Sequence, residues 1–163
     1  MKQHNYSELL QMAASYCSMA ERCISDVSRK ITDAGASPET ADKIIKRLVQ
    51  EKFIDETRFC RSFVNDKFKF NRWGRIKISY ELRGKNIQGS LIDEAIGQLD
   101  ENEYETVLNG LLKDKKKSTK GKNEYDTFQK LYRFAAGRGF ESSLIVKQLK
   151  KILHTDFDVD SDT

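Results

Sequence analysis

Align Gly35, Asn86 and Gly139, and apolar residues fall into register on both sides of the three anchors. Eight residues before the anchor stand Val27, Ile78 and Leu131; four before it, Ile31, Leu82 and Ala135. One after it come Ala36, Ile87 and Phe140; six after, Ala41, Ile92 and Ile145. Ten after are Ile45, Ile96 and Leu149, and thirteen after, Leu48, Leu99 and Ile152. The anchors lie 51 and 53 residues apart. A period of that length marks one supersecondary unit laid down repeatedly, and such scaffolds present an extended surface to a large partner.

The spacing within each unit is helical. Val27, Ile31 and then Gly35 describe a helix closed by a residue in the left-handed conformation, a place that asparagine also tolerates. Ser37-Pro38 supplies an N-cap and a first-turn proline for the next helix, which carries Ala41, Ile44, Ile45, Leu48 and Val49. Gly89-Ser90 and Ser142-Ser143 stand near the corresponding starts. Each unit also has an earlier helix: Leu9, Leu10, Met12, Ala13, Tyr16 and Cys17 in the first, and Tyr104, Val107, Leu108, Leu111 and Leu112 in the third. In the second, Phe59, Phe63, Lys67 and Phe70 share one helical face with Val64 beside them, and Asp55 is the expected N-cap. The expected fold is all-α, with nine helices in three tandem three-helix repeats over 1–54, 55–100 and 101–154. An acidic tail over 155–163 should be disordered.

Composition supports this. The charged fraction is 33%, apolar residues make up 38%, and there are one proline and nine glycines in 163 residues. That balance suits helices with a narrow buried stripe and argues against a turn-rich β fold. No apolar run is long enough for a membrane span, and residues 1–10 lack a signal-peptide core, so a cytoplasmic location is expected. Cys17, Cys23 and Cys60 have no CxxC spacing, and His4 and His154 stand near the chain ends. Free thiols are therefore expected, with no metal and no cofactor. Glu51, Asp55 and Glu56 are ordinary carboxylates around a helix start rather than an acid–base pair. No phosphate-binding loop, nucleophile elbow or HExxH motif occurs, so no catalytic residues are assigned.

Charge separates the units. Arg58 to Lys85 holds nine basic and two acidic residues, a net of +7. Its candidate contact residues are Arg58, Arg61, Lys69, Arg72, Trp73, Arg75, Lys77, Arg83 and Lys85. Arginine forks match phosphates and carboxylates, and Trp73 between two arginines is either core or a stacking contact. A secondary basic loop contains Lys113, Lys115, Lys116, Lys117, Lys120 and Lys122, read as a solvated loop or a frayed helix end. Such surfaces favour anionic partners and salt-sensitive binding.

The stretch Phe53 to Ile87 resembles the most recognisable segment of the RecX family, regulators of the bacterial recombinase RecA. In that family an IDD-x-RFA run is followed by an apolar helix, a basic glycine-containing turn and RI-x-x-EL-x-x-KGI. Ile54-Asp55-Glu56, Arg58-Phe59-Cys60, Gly74-Arg75-Ile76, Glu81-Leu82 and Lys85-Asn86-Ile87 occupy those places. Cys60 stands where alanine is common and Asn86 where glycine is usual. The resemblance implies an elongated, curved array lodged in the groove of the RecA–DNA filament. From there it would inhibit ATP hydrolysis, strand exchange and co-protease activity, or limit filament growth. A short array with exposed end faces is expected to be a monomer, with single- or double-stranded DNA bound only weakly. The alternative is a stand-alone DNA-binding protein that sets three-helix units on the phosphate backbone.

Overall fold

The computed structural model describes residues 4–153; the acidic run 155–163 lies outside them. Those residues form nine helices: α1 (Tyr6–Met19), α2 (Ile24–Asp33), α3 (Pro38–Gln50), α4 (Glu56–Lys69), α5 (Arg75–Gly84), α6 (Gly89–Gly97), α7 (Glu101–Lys116), α8 (Glu124–Gly137) and α9 (Ser142–Leu153). No strand occurs among the described residues.

The three anchors share one backbone conformation. Gly35 (φ 102°), Asn86 (φ 61°) and Gly139 (φ 93°) all lie in the left-handed region. At Gly35 the next residue, Ala36, donates its N–H to the Ile31 carbonyl, and Gly35 donates to Thr32, both at 3.0 Å. Phe140 and Gly139 repeat the pair onto Ala135 and Ala136, at 3.3 and 3.0 Å. This is the Schellman closure, in which the residue after the left-handed one packs on the last turn of the helix. The register columns four before and one after the anchor are that apolar contact, and all six of their residues are buried.

The helix starts follow equally local rules. Ser37 Oγ accepts the Thr40 N–H at 3.2 Å, with Pro38 in the first turn. Asp55 Oδ1 accepts from the Arg58 N–H at 3.1 Å. Asn5, Asp100 and Asn123 cap α1, α7 and α8 in the same manner. Each such cap contributes about 1 kcal/mol.

Two sequence expectations change. The column ten after the anchor is buried only at Leu149; the column nine after, Ile44, Ala95 and Gln148, is buried throughout. Gln148 stays inside because Asn109 donates to its Oε1 at 2.8 Å and its own amide donates to Glu105 at 3.3 Å. On α4, Phe59, Cys60, Val64 and Phe68 are buried, Phe63 is half-buried and Phe70 is exposed. The buried ladder therefore runs through Cys60, Val64 and Phe68, an i, i+4 series as regular as the one through Phe59, Phe63 and Lys67.

The chain divides into two compact units, one extending to Val64 and including Glu81–Ala95, the other holding Asn65–Tyr80 and everything from Ile96. The division passes through α4, α5 and α6. In the first, α1, α2 and α3 pack on one another around Leu9, Ala13, Val27, Ile31, Ile44 and Leu48. In the second, α7, α8 and α9 do so around Leu108, Leu112, Leu131, Ile145 and Leu149. Each buried Leu or Ile contributes roughly 1.5–3 kcal/mol before conformational entropy is charged against it.

Candidate functional site

Within the second unit, the turn between α4 and α5 sits directly against the turn between α8 and α9. Gly74 donates its N–H to the Arg138 carbonyl at 2.8 Å, and Ile76 donates to Gly139 at 3.0 Å. A Cβ on Gly74 would strike the Gly139 carbonyl, and one on Gly139 would strike Lys77. Both positions need glycine because two backbones touch there.

That contact places Arg75 among acidic neighbours. Its guanidinium donates to Glu141 Oε2 at 2.5 Å and to Glu101, and its Cζ stands 3.8 Å from the centre of the Tyr104 ring. Its backbone N–H donates to the Tyr104 hydroxyl at 3.0 Å, and that hydroxyl donates to Glu141. Burial, reinforced by the Glu141 hydrogen bond, holds the Tyr104 hydroxyl protonated well above the usual phenol range. With only 22% of its side chain accessible, Arg75 braces the turn. Arg72, with its backbone in the left-handed region, pairs with Asp114 at 2.7 Å.

Trp73 lies between these arginines and is half-buried. The Lys77 ammonium stands 4.5 Å and the Lys67 ammonium 5.0 Å from its ring centre, within cation–π range. Phe70, Ile76 and Tyr80 are exposed by 80, 58 and 72%. The phase of α5 carries a signal for two of them: burying Ile78 and Leu82 turns Ile76 and Tyr80 outward at 100° per residue.

In the first unit the basic side chains are similarly engaged. Arg58 donates to Glu21 at 2.5 Å and to the Lys52 carbonyl at 3.1 Å, closing the chain that leaves α3. Arg61 pairs with Glu94. Lys85 pairs with Asp26 at 2.9 Å, and its carbonyl accepts from Ser25 at 3.0 Å. Burial alone would raise the Asp26 carboxyl, but the Lys85 and Cys23 hydrogen bonds outweigh it and hold that carboxyl below its usual range. Glu56 accepts the Ile24 N–H at 3.1 Å and is pushed up by burial.

Five of the sequence candidates, Arg58, Arg61, Arg72, Arg75 and Lys85, thus carry carboxylate partners from elsewhere in the chain. Lys69 and Arg83 are exposed and make no ion pair among the described residues. The lysine-rich segment is in part helical: α7 continues through Lys116, placing Lys113, Lys115 and Lys116 in its last turn, where the helix dipole favours cations. Lys115 stands 4.8 Å from the Phe134 ring centre, and Lys117 reaches Asp114 at 4.0 Å. Lys120 and Lys122 are exposed.

No group of three or more His, Cys, Asp or Glu side chains among the described residues is placed to hold a metal ion. None of the helices described is long and apolar enough to cross a membrane. Cys17, Cys23 and Cys60 are free, and burial pushes the Cys60 thiol up to about 11.

Comparison with known proteins gives a consistent answer. Models of the second and third three-helix domains of RecX match residues 55–96 and 103–149. The regulatory protein RecX of Clostridium tetani is 30% identical over 158 residues, an alignment covering 95% of this chain and 72% of that protein. The regulatory protein RecX of Prosthecochloris aestuarii is 29% identical, with 94% and 99% covered. Two crystal structures share the fold with a TM-score of 0.78. One is of a regulatory protein RecX, at 24% identity over 90% of this chain and 73% of that one. The other is RecX from Lactobacillus salivarius, at 16% identity over 92% and 97%. The two domain models and the similarity over 95% of the chain agree: the chain belongs to the RecX family of regulatory proteins.

Proposed function

We propose that this chain modulates, and mainly inhibits, the RecA recombinase by binding in the groove of the RecA–DNA filament. Membership of the RecX family carries the reading. The basic side chains give it a physical basis, because a nucleoprotein filament offers phosphates and acidic protein surface together. Three three-helix units over 1–54, 55–100 and 101–154 would supply reach along neighbouring protomers, with the protein acting as a cytoplasmic monomer. Regulation of this kind needs no bond chemistry from the binder.

The ion pairs divide the candidate contacts. Arg58, Arg61, Arg75 and Lys85 serve the fold first, whereas the exposed Lys69, Arg83, Lys113, Lys120 and Lys122 remain available to a partner. Trp73 and Lys77 form the border between these groups, and Arg72 can exchange Asp114 for a phosphate at small cost, since their pair is exposed and screened by solvent. Co-sedimentation with RecA assembled on single-stranded DNA tests the proposal. Lys69→Glu with Arg83→Glu should weaken capture by the filament while leaving the circular dichroism spectrum unchanged. Capture by naked DNA as tight as by the filament, with the same salt dependence, would favour the stand-alone DNA-binding reading instead.

A further inference from the structure

A groove of about 700 Å³ runs along α7 and α9, lined by Asn109, Lys113, Lys116, Lys117, Lys151 and Ile152. Four lysines line it, and no acidic residue is among its lining. Asp114 is held by Arg72 at 2.7 Å and lies 4.0 Å from Lys117, while Glu105 is held by Lys147 at 2.8 Å. Four like charges on one concavity repel one another and raise the local potential, so the groove favours an anionic occupant.

The chain itself carries one. Beyond α9 the sequence reads Asp156-Phe157-Asp158-Val159-Asp160-Ser161-Asp162, four carboxylates against four lysines. Ile152 is part of the groove wall, and its carbonyl accepts from the Lys116 ammonium at 3.5 Å, so the segment starts at the groove. Asp156 follows Leu153 by three residues, a reach of roughly 10 Å when extended. Extended backbone also sends alternate side chains to opposite sides, which would put every aspartate on one edge and Phe157 and Val159 on the other. Phe157 and Val159 are the segment's only large apolar residues, too few to form a core of their own. Its short tether gives an effective concentration on the order of millimolar, so even an individually weak contact is populated.

We propose that the Asp156–Asp162 segment docks in cis into the lysine groove of α7 and α9 and shields it from external polyanions. The contact stands apart from the recombinase reading; only its consequence for filament binding rests on that reading. Carbodiimide coupling of the full chain at low salt, followed by peptide mass spectrometry, tests the contact without any recombinase. Cross-links from the aspartates should concentrate on Lys113, Lys116, Lys117 and Lys151 and fade at high salt. In a mixture of light and isotope-labelled protein they should stay within one isotope. Cross-links spread over all exposed lysines, or joining two copies, would overturn the proposal. For shielding, a fluorescent oligothymidylate is the probe. Replacing the four aspartates by asparagine should tighten its binding roughly three- to tenfold, the release expected when a tethered competitor is removed. With Lys113, Lys116 and Lys151 also changed to Gln, that gain should vanish. No gain, or one that survives the lysine changes, would refute the shielding role.

Discussion

Replacing Gly74 by alanine probes the contact that orients the basic turn. The added Cβ would overlap the Gly139 carbonyl and the Phe140 amide, both backbone, so no flexible side chain can move aside. The two turns must separate, lengthening the Gly74-to-Arg138 and Ile76-to-Gly139 hydrogen bonds of 2.8 and 3.0 Å. Two lost backbone hydrogen bonds cost about 0.5–1.5 kcal/mol each, and forced overpacking about 1–3 kcal/mol, giving roughly 4 kcal/mol in all. At about 2–4 °C per kcal/mol for a chain of this size, Tm should fall by roughly 8–16 °C in a far-ultraviolet circular dichroism melt. Gly84→Ala is the matched control. A Cβ there meets nothing, and the helix gains up to about 1 kcal/mol. A Gly74→Ala protein melting with the wild type, or above it, would refute the claim of backbone contact.

Other expectations concern the network behind that turn. Arg75→Met keeps the aliphatic stem but leaves Glu141 without its guanidinium, and should cost about 2–3 kcal/mol by chemical denaturation. Because Tyr104 is raised above 10.0 in the fold, its contribution is complete below pH 10.0 and is lost as pH rises through the folded value. Alkaline melts of the wild type should therefore lose stability beyond that of Tyr104→Phe. Asp26 works in the opposite direction: held below 3.8, its stabilisation is present above that pH and is lost on further acidification, so Asp26→Asn should flatten the acid limb. Cys60, buried and raised to about 11, should react with a thiol reagent only after the half-buried Cys17 has done so.

Much of the fold is legible in the sequence because backbone demands are written in residue type. Gly35, Asn86 and Gly139 declare left-handed closures, and the apolar residues around them are the closures' packing partners. Legibility fails where two phases fit equally well. Ile44 and Ile45, or Ala95 and Ile96, both satisfy a helical period, and a polar Gln148 beside an apolar Leu149 pulls the alignment onto the wrong column. Only the contacts with Asn109 and Glu105 explain why Gln148 is inside. Charge is a different case. Summing Arg58 to Lys85 treats pairing as local, yet Glu21, Asp26, Glu94, Glu101, Asp114 and Glu141 arrive from elsewhere in the chain. The basic segment is thus partly a set of internal braces, which composition cannot distinguish from a contact surface. Lys151 is illegible for the same reason: it joins Lys113 and Lys116 at one groove only once α9 packs on α7.

The most direct measurement is a titration of RecA ATP hydrolysis on single-stranded DNA with this protein at two salt concentrations. Filament-groove binding predicts slowed hydrolysis at fewer than one molecule per RecA, with a weaker effect at the higher salt. Hydrolysis unchanged in the presence of excess folded protein would contradict the proposal that this RecX-family chain acts on the recombinase filament.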